Sequence, residues 1–520
     1  MASHYLLLEL ALQPRDQSVD ASKGLSSSTG YRLVGAYGVE MDARLRRHRS
    51  HRLAVRAEGA GAAGHTAEVG VELFDSEAAL LARVLAQIEA ATCLVTARGR
   101  ALEVPVLEAL ALRYGLALRG HFPIEDPYAA RRSPYNLAGH LDLSYFLADG
   151  DRRLRGLTPE LLVPLVFPHA PKPVGRELVG DDLPKARERA LSTYLLLLRV
   201  QQLRGRLEAA EVAQRRAELG KGLSPEQLAL VQQSNEAPVT HTAPSWLDQT
   251  GQGYLSFDIE TALDVEGLGR CVGRPVTLAT APQALAELFG TPTDFAPAPF
   301  HRVISLAMVF WDGASQIEIE RLVLGGTTRL GAALPDESAL LSTFWRVAAG
   351  KRLLSYNGKR FDLPVLMYRA LPYAIDCAWY LEEKRPAYEQ YRHPQSLRQL
   401  DVFEQLSGGL SPGRLGDLLQ TVGLPGKQGT AGSDVEQLWA DHALDAIGDY
   451  CLSDAAQTFL LALRFMSISG RLDRAQAGAA LALARSRFER EPALAQMLAG
   501  ASQEFFSEQP PGATPHPPKD

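Results

Sequence analysis

Five short segments of the 520-residue chain recur, in the same order, about 250 residues further along. The paired segments begin at His4 and Gly253, Ala79 and Ala339, Leu94 and Leu353, His140 and Gln399, and Thr193 and Thr458. The offsets lie between 249 and 260 residues for the first four pairs and reach 265 for the last. Helices rich in Leu and Ala resemble one another by chance, but five matches in one order favour an internal repeat. The chain is therefore expected to fold as two tandem copies of one domain.

The length allows two to four domains of about 100–200 residues. Apolar residues make up 46% and charged residues 22%, which is typical of globular protein. We predict a first copy over residues 1–207, a helical connector and linker over 208–250, and a second copy over 251–472. A C-terminal helix is expected over 473–502 and a disordered, proline-rich tail over 503–520.

The cysteines and the apolar runs indicate a compartment. Cys93, Cys271, Cys377 and Cys451 lie far apart with no C-x-x-C pair, which argues against a disulfide framework and a zinc ribbon. The N-terminal apolar run is too short for a signal peptide, and no stretch approaches the roughly 18 apolar residues of a membrane span. We expect a cytoplasmic protein without a membrane partner.

The second copy has the pattern of a mixed α/β domain. Residues Tyr254–Ile259 alternate at period 2, and Arg302–Phe310 and Ile317–Val323 are β-rich runs. Arg352–Ser355 has the composition of a short buried strand, and helical patterns dominate from Leu363 onward. These elements predict a mixed sheet flanked by helices.

Two carboxylates share one face of the first predicted strand. Because side chains alternate along a strand, Asp258 and Glu260 point away from the face that carries Phe257 and Ile259. Carboxylates so placed repel each other unless a cation lies between them. A solvated strand edge is the alternative.

Two further motifs follow. In Asn357-Gly-Lys-Arg-Phe361-Asp362, Asn-Gly marks a turn and Asp362 before Leu-Pro is typical of a helix N-cap, although capping does not explain Asn357 and Phe361. In a helix predicted over residues 441–469, Tyr450 and Asp454 lie at positions i and i+4 on one face. Alone, such a pair is usually a surface hydrogen bond.

In order, F-D-I-E-T, N-x-x-x-F-D and Y-x-x-x-D resemble the three exonuclease motifs in the proofreading domain of family B DNA polymerases. Residues 252–472 are similar to a stand-alone bacterial family of predicted 3′-5′ exonucleases related to that domain. The resemblance implies a DEDD exonuclease of the tyrosine subtype with a ribonuclease H-like fold. The histidine subtype is excluded because position 449 is Asp449.

The resemblance also implies roles for the motif residues. The metal ligands would be Asp258, Glu260, Asp362 and Asp454, with Tyr450 orienting the attacking water. Asn357 and Phe361 would contact the 3′-terminal nucleotide. The implied cofactor is a pair of Mg²⁺ or Mn²⁺ ions, and the implied partner is a nucleic acid with a single-stranded 3′ end.

Physical chemistry agrees with these roles. Hydrolysis of a phosphodiester needs charge neutralisation at the attacking and leaving oxygens, which two divalent cations about 3.5–4 Å apart supply. Hard oxygen ligands favour Mg²⁺ or Mn²⁺ over zinc. A tyrosine, with an ordinary pKa near 10, is a poor base, so hydrogen bonding to the water suits it better.

The first copy differs at the equivalent positions. The repeat places Glu9 at Asp258, Ala11 at Glu260 and Glu103 at Asp362, while Lys185 and Arg189 replace Tyr450 and Asp454. Two carboxylates, one alanine and two cations cannot hold two Mg²⁺ ions. We expect this copy to be degenerate and catalytically inert.

Charge is uneven along the chain. The net charge is +1 over residues 1–251, from 30 basic and 29 acidic residues, and −6 over 252–472, from 19 and 25. Four metal-binding carboxylates would remove most of that negative excess. The basic run Arg44–Arg52 is either a solvated hairpin face or a phosphate-contacting patch.

These observations lead to a metal-dependent 3′-5′ exonuclease acting on single-stranded DNA. An RNA exonuclease of the same mechanism is the first alternative, because recognition of a 2′-hydroxyl depends on pocket geometry. A nucleic-acid-binding scaffold with a vestigial nuclease site is the second, and the intact set of carboxylates in residues 252–472 argues against it. DNA repair, proofreading in trans and general trimming all remain open as biological settings.

Overall fold

The structure is a computed structural model that divides into two compact units. Unit 1 comprises Met1–Ala237 and Val265–Pro297, and unit 2 comprises Pro238–Asp264 and Ala298–Asp520. The described residues are 4–14, 31–56, 70–118, 121–122, 130–133, 136–148, 159–167, 183–220, 253–289, 295–328, 333–382, 387–393, 396–407, 415–426 and 434–506. Most of the expected linker, residues 221–250, and residues 507–520 of the expected disordered tail lie outside these ranges. The prediction of disorder is wrong for the start of that tail, because Gln503–Phe506 forms a 3-10 helix in which Phe505 is buried.

Unit 1 contains a six-stranded mixed sheet. Its strands are β1 (Tyr5–Pro14), β2 (Tyr31–Met41), β3 (Arg47–Val55), β4 (Glu72–Phe74), β5 (Cys93–Thr96) and β6 (His140–Asp142), in the order β4-β3-β2-β1-β5-β6. Its helices are α1 (Glu77–Ala90), α2 (Glu103–Tyr114), α3 (Leu143–Ala148), α4 (Pro159–Val166), α5 (Leu183–Leu203), α6 (Ala209–Ala217), α7 (Val265–Val272) and α8 (Ala281–Phe289).

Unit 2 contains a five-stranded mixed sheet. Its strands are β7 (Tyr254–Leu263), β8 (His301–Trp311), β9 (Ile317–Val323), β10 (Arg352–Ser355) and β11 (Gln399–Asp401), in the order β11-β10-β7-β8-β9. Its helices are α9 (Glu337–Val347), α10 (Asp362–Tyr373), α11 (Ala378–Leu381), α12 (Val402–Ser407), α13 (Leu415–Thr421), α14 (Val435–Ala440), α15 (Leu444–Ile468), α16 (Arg474–Phe488) and α17 (Pro492–Ala499). The predicted α/β class, with mixed sheets flanked by helices, is confirmed.

The two sheets share a strand plan. In each, the first strand pairs antiparallel with the second and parallel with a later strand, β5 in unit 1 and β10 in unit 2. The antiparallel register shifts between Ala11 and Leu12 in unit 1, and between Glu260 and Thr261 in unit 2. The repeat expected from the sequence pairs these positions with each other.

Helix α15 lies against the sheet of unit 2. The Ser256 hydroxyl on β7 donates a hydrogen bond to the Ala455 carbonyl at 2.9 Å. Gly448 allows close approach to β9, because a Cβ there would lie 2.7 Å from Cγ2 of Val323. The buried face of α15 therefore has a fixed position relative to β7.

Helices α16 and α17 pack on the same core as α15. Phe488 and Met497 belong to the buried cluster that also contains Phe459 of α15. One helix was expected over residues 473–502, whereas the structure has two. Proline stands at the start of α17, because a proline tolerates the first turn of a helix but not its interior.

The segment Val265–Pro297 packs within unit 1. Arg270 Nε on α7 donates to the Pro164 carbonyl at 3.0 Å on α4. The sequence predicts a continuous second copy over residues 251–472, whereas the structure groups this internal segment with unit 1. Its helical pattern is local and does not indicate which core it covers.

A buried ion-pair cluster lies in unit 2, at the point where the chain passes from β7 into the segment Val265–Pro297. Arg369 on α10 donates to Asp264 at 2.5 Å and to both carboxylate oxygens of Glu337, at 2.8 and 2.6 Å. Glu337 also accepts the backbone N–H of Val303 at 2.8 Å. The cluster joins the end of β7 to β8, the strand that follows the segment Val265–Pro297.

No helix among the described residues has the length and apolarity needed to cross a bilayer.

Candidate active site

Three of the four predicted metal ligands form one cluster of side chains. Suitable ligand atoms of Asp258, Glu260 and Asp454 all lie within 4.8 Å of one another. The first two stand on β7 and are partly buried, and Asp454 on α15 is only 3% exposed. The strand and the late helix thus form one acidic cluster.

Alternation along β7 produces this arrangement. Leu255, Phe257 and Ile259 are buried, and the ring centroid of Phe257 lies 5.1 Å from that of Phe344 on α9. On the other face, the Cys451 thiol of α15 donates to the Asp258 carbonyl at 3.3 Å. Burial raises the pKa of this thiol, and the nearby carboxylates raise it further, so Cys451 is neutral at physiological pH.

Asp362 lies beside the acidic cluster and outside the group of three. The sequence suggested that it caps α10, but the helix begins at Asp362 and Phe361 holds the N-cap position without a side-chain capping bond. The Asp362 carboxylate accepts the backbone N–H of Ile259 on β7 instead. Helix ends are uncertain by a residue from sequence, because capping and first-turn positions favour the same side chains.

The environment of Asp362 disfavours its charged form. Burial raises the pKa of this carboxyl to about 7, and the charges of Asp401 and Asp454 add to the shift. Hydrogen bonds from backbone N–H groups act in the opposite sense without cancelling it. A further positive charge at the cluster would restore the ionised form.

Asp401 organises the loop that carries the second motif. Its carboxylate accepts the backbone N–H of Asn357 at 2.8 Å and that of Lys359 at 2.9 Å. The Ser355 hydroxyl donates to it at 3.3 Å. Leu400-Asp401 matches Leu141-Asp142 in the repeat expected from the sequence, so a signal is present there, but the role of Asp401 depends on backbone contacts that only the structure gives.

Asn357 and Phe361 stand in this loop, immediately before Asp362. Asn357 has a φ of +65°, a left-handed conformation that asparagine tolerates better than most residues. The ring of Phe361 meets that of His301 edge to face at 5.0 Å, and His301 in turn hydrogen-bonds Thr261 at 2.9 Å. Their contact with a nucleotide remains a prediction.

Tyr450 is buried on α15, one turn before Asp454. Its neighbour Asp449 forms an ion pair with Arg321 of β9, and Arg321 also contacts Asp445 at 3.1 Å. The side chain at position 449 is therefore held toward β9. The phenol has the i, i+4 relation to Asp454 that the sequence predicted.

In unit 1, Glu9, which the expected repeat aligns with Asp258, is paired with an arginine. Glu9 on β1 is 1% exposed and accepts from Arg189 Nε at 3.3 Å and from the Thr193 hydroxyl at 2.8 Å. Ala11 and Glu103 are both buried. In the described part of unit 1, no three ligating side chains form a comparable group.

The basic run occupies the β2–β3 turn and β3. Strand β4 pairs only with Leu53–Val55, so the basic half of β3 has no partner on that side among the described strands. Arg44 pairs with Glu211 at 3.3 Å and Arg46 with Asp42 at 3.1 Å. Part of the positive charge is thus neutralised within unit 1.

Comparison with known protein families gives a match for one part of the chain. Residues 293–505 match a family described as a predicted 3′-5′ exonuclease related to the exonuclease domain of PolB. Over these residues, the chain is similar to that exonuclease family. No curated protein matches the chain. The resemblance stated from the motifs is confirmed for this range.

The extent of the exonuclease-family match differs from the expected 252–472. The match contains Asp362, Tyr450 and Asp454, whereas Asp258 and Glu260 precede it. It also continues through α16 and α17, in agreement with their packing on the core of unit 2. The first motif is therefore connected to the matched part by geometry, through the acidic cluster.

Proposed function

We propose that the chain is a metal-dependent 3′-5′ exonuclease whose active site is the acidic cluster of unit 2. The observation that carries this proposal is the convergence of Asp258, Glu260 and Asp454 within 4.8 Å. Asp362 lies beside them, and the exonuclease-family match covers two of these four carboxylates.

The donor set fits hard divalent cations. Carboxylate oxygens from β7, α15 and the start of α10 are ligands that Mg²⁺ and Mn²⁺ prefer, and cysteine or histidine is absent from the cluster. The raised pKa of Asp362 supports the same conclusion, because positive charge there would allow all four acids to ionise. We propose that Asp258, Glu260, Asp362 and Asp454 hold two ions, which when bound neutralise charge on the attacking and leaving oxygens.

The proposed reaction is hydrolysis of the last phosphodiester. A water attacks the phosphorus, the bond between phosphorus and the O3′ of the penultimate nucleotide breaks, and the O3′ takes up a proton. The products are a nucleoside 5′-monophosphate and a strand one nucleotide shorter. The Tyr450 hydroxyl would hold the water in line by a hydrogen bond, with Asn357 and Phe361 contacting the terminal nucleotide.

Single-stranded DNA is the proposed substrate, because the matched family is described as related to the exonuclease domain of PolB. RNA is the alternative outcome of the same experiment. A 5′-labelled DNA strand and a matched RNA strand are incubated with the full chain and Mg²⁺, Mn²⁺ or chelator. We expect stepwise 3′ shortening of DNA that needs metal and is lost in Asp258→Ala. Shortening that persists in chelator, or in Asp258→Ala, would contradict the assignment.

We also propose that units 1 and 2 arose as tandem copies. Two buried features support this beyond the shared strand plan. Glu77 of unit 1 accepts the Leu33 N–H at 2.7 Å and the Tyr114 hydroxyl at 2.6 Å. Glu337 of unit 2 accepts the Val303 N–H at 2.8 Å and the Tyr373 hydroxyl at 3.1 Å, an equivalent pattern at equivalent places.

The second feature is the aspartate that holds the loop after a parallel strand. Asp142 accepts the Arg100 N–H at 2.6 Å, as Asp401 accepts the Lys359 N–H at 2.9 Å. Glycines precede both donors, and a Cβ on Gly99 or Gly358 would come within 2.6 Å of a side-chain atom. Under this proposal, unit 1 retained these contacts while Arg189 took the place of part of the acidic cluster. Unit 1 would therefore keep the fold without catalysis.

A further inference from the structure

Two adjacent cations in the second motif have different surroundings. Lys359 Nζ lies 2.6 Å from a carboxylate oxygen of Glu404, so its charge is neutralised. Arg360 is exposed, and no described carboxylate lies within ion-pair distance of it. Of these two cations, Arg360 is the one without a carboxylate partner among the described residues, and it directly precedes Phe361 and Asp362.

The backbone around Arg360 is held on both sides. Its own N–H donates to the Asn357 carbonyl at 3.0 Å, and that of Phe361 donates to the same oxygen at 3.2 Å. Asp401 fixes the preceding residues through the N–H groups of Asn357 and Lys359. The Cα of Arg360 therefore has a defined position just before the N-terminus of α10.

The side chain also has a support. The guanidinium carbon lies 5.6 Å from the ring centroid of Phe403 on α12, and Phe403 is packed edge to face against Tyr356 at 5.4 Å. Contact with an aromatic face restricts a long side chain while leaving its N–H groups available to other acceptors. Arg360 is thus a preorganised donor whose hydrogen-bonding capacity faces solvent.

We propose that Arg360 binds a backbone phosphate of the single-stranded substrate near its 3′ end. The inference rests on the proposed exonuclease function and adds a substrate contact to the same site. A guanidinium matches the geometry of phosphate oxygens and is weakly hydrated, so it is suited to a phosphate that must enter and leave in each cycle. The alternative is a solvated arginine without a ligand.

The test compares Arg360→Ala with Lys359→Ala, both in the full chain carrying Asp454→Asn to stop hydrolysis. Binding of a 5′-labelled single strand is measured at several salt concentrations with Mg²⁺ present. For Arg360→Ala we expect affinity to fall about tenfold or more, and the slope of log affinity against log salt to become shallower by about 0.7. Lys359→Ala should bind within about twofold of the parent, because that charge is already paired. Arg360→Lys should fall between the two.

Strands with a single neutral methylphosphonate linkage locate the contact. The parent should lose affinity with the neutral linkage at one position near the 3′ end, and Arg360→Ala should be insensitive at that position only. The inference would be overturned, and the proposed function left intact, if Arg360→Ala binds as the parent does or keeps the parent's sensitivity at every linkage. If the wild-type chain releases no nucleotide with any metal, the proposed function fails and the inference fails with it.

Discussion

The Nε of Arg189 lies 3.3 Å from Oε2 of Glu9, joining α5 to β1 inside unit 1. The same guanidinium donates to the Leu10 carbonyl at 2.6 Å. A fixed side-chain cation thus neutralises a buried carboxylate in the first unit. In the second unit, Asp454 lies on α15 beside the carboxylates of β7, and under the proposed function bound ions would balance the charge of this cluster.

We expect Arg189→Ala to destabilise the protein, because it leaves the nearly inaccessible Glu9 without its cation. Breaking a buried pair in this way typically costs about 3–5 kcal/mol. Denaturant unfolding of the full chain measures the change. Arg44→Ala, which removes an exposed partner of Glu211, is the control and should cost at most about 1 kcal/mol. Equal losses in the free energy of unfolding would show that the buried Glu9–Arg189 pair stabilises the protein no more than the exposed Arg44–Glu211 pair does.

We expect Asp258→Asn and Asp454→Asn to reduce the rate of nucleotide release by about 10²–10⁴-fold. Charge stabilisation by bound ions is worth several kcal/mol in the transition state, and each 1.36 kcal/mol is tenfold in rate. Single-turnover assays on a labelled single strand give the rates. Glu489→Gln, which alters an exposed acid after α16, should leave the rate unchanged. Near-normal turnover in either aspartate variant would remove that residue from the site.

Tyr450→Phe should slow release less than the aspartate changes do, because only one hydrogen bond is lost. A bond to a charged or strongly polarised partner is worth about 1.5–3 kcal/mol, which corresponds to roughly 10–100-fold. The comparison is again by single-turnover rate, with circular dichroism to verify the fold. A rate indistinguishable from wild type would exclude the phenol from the mechanism.

Asp362→Asn should be inactive yet more heat-stable than wild type in chelator above pH 7. The pKa of Asp362 is raised from 3.8 to about 7 in the fold, so the folded state binds a proton that the unfolded state releases. Its contribution to stability is full below about pH 4 and is lost as the pH rises through about 7. Thermal unfolding at pH 5 and pH 8 with chelator tests this. The difference between variant and wild type should grow with pH and shrink when Mg²⁺ is added, and a constant difference would contradict the charge argument.

Local patterns predicted much of the second unit. Period-2 alternation located the strand that became Tyr254–Leu263, and the motif spacing placed Asp258, Glu260 and Asp454 correctly on a strand and a helix. The features that the sequence did not predict depend on contacts between distant segments. The role of Asp401 needs the backbone N–H groups of Asn357 and Lys359. The grouping of Val265–Pro297 with unit 1 is equally invisible, since an amphipathic helix does not encode which core it covers.

The segment Val265–Pro297 also affects how the chain is made. Unit 1 draws on residues up to Ala237 and then on this later segment, with the strand that bears Asp258 and Glu260 between them. During synthesis, unit 1 cannot complete its packing until the ribosome has passed residue 297. By then β7 has been translated, while β10 and α15 have not. Asp258 and Glu260 are therefore made well before the helix that brings Asp454.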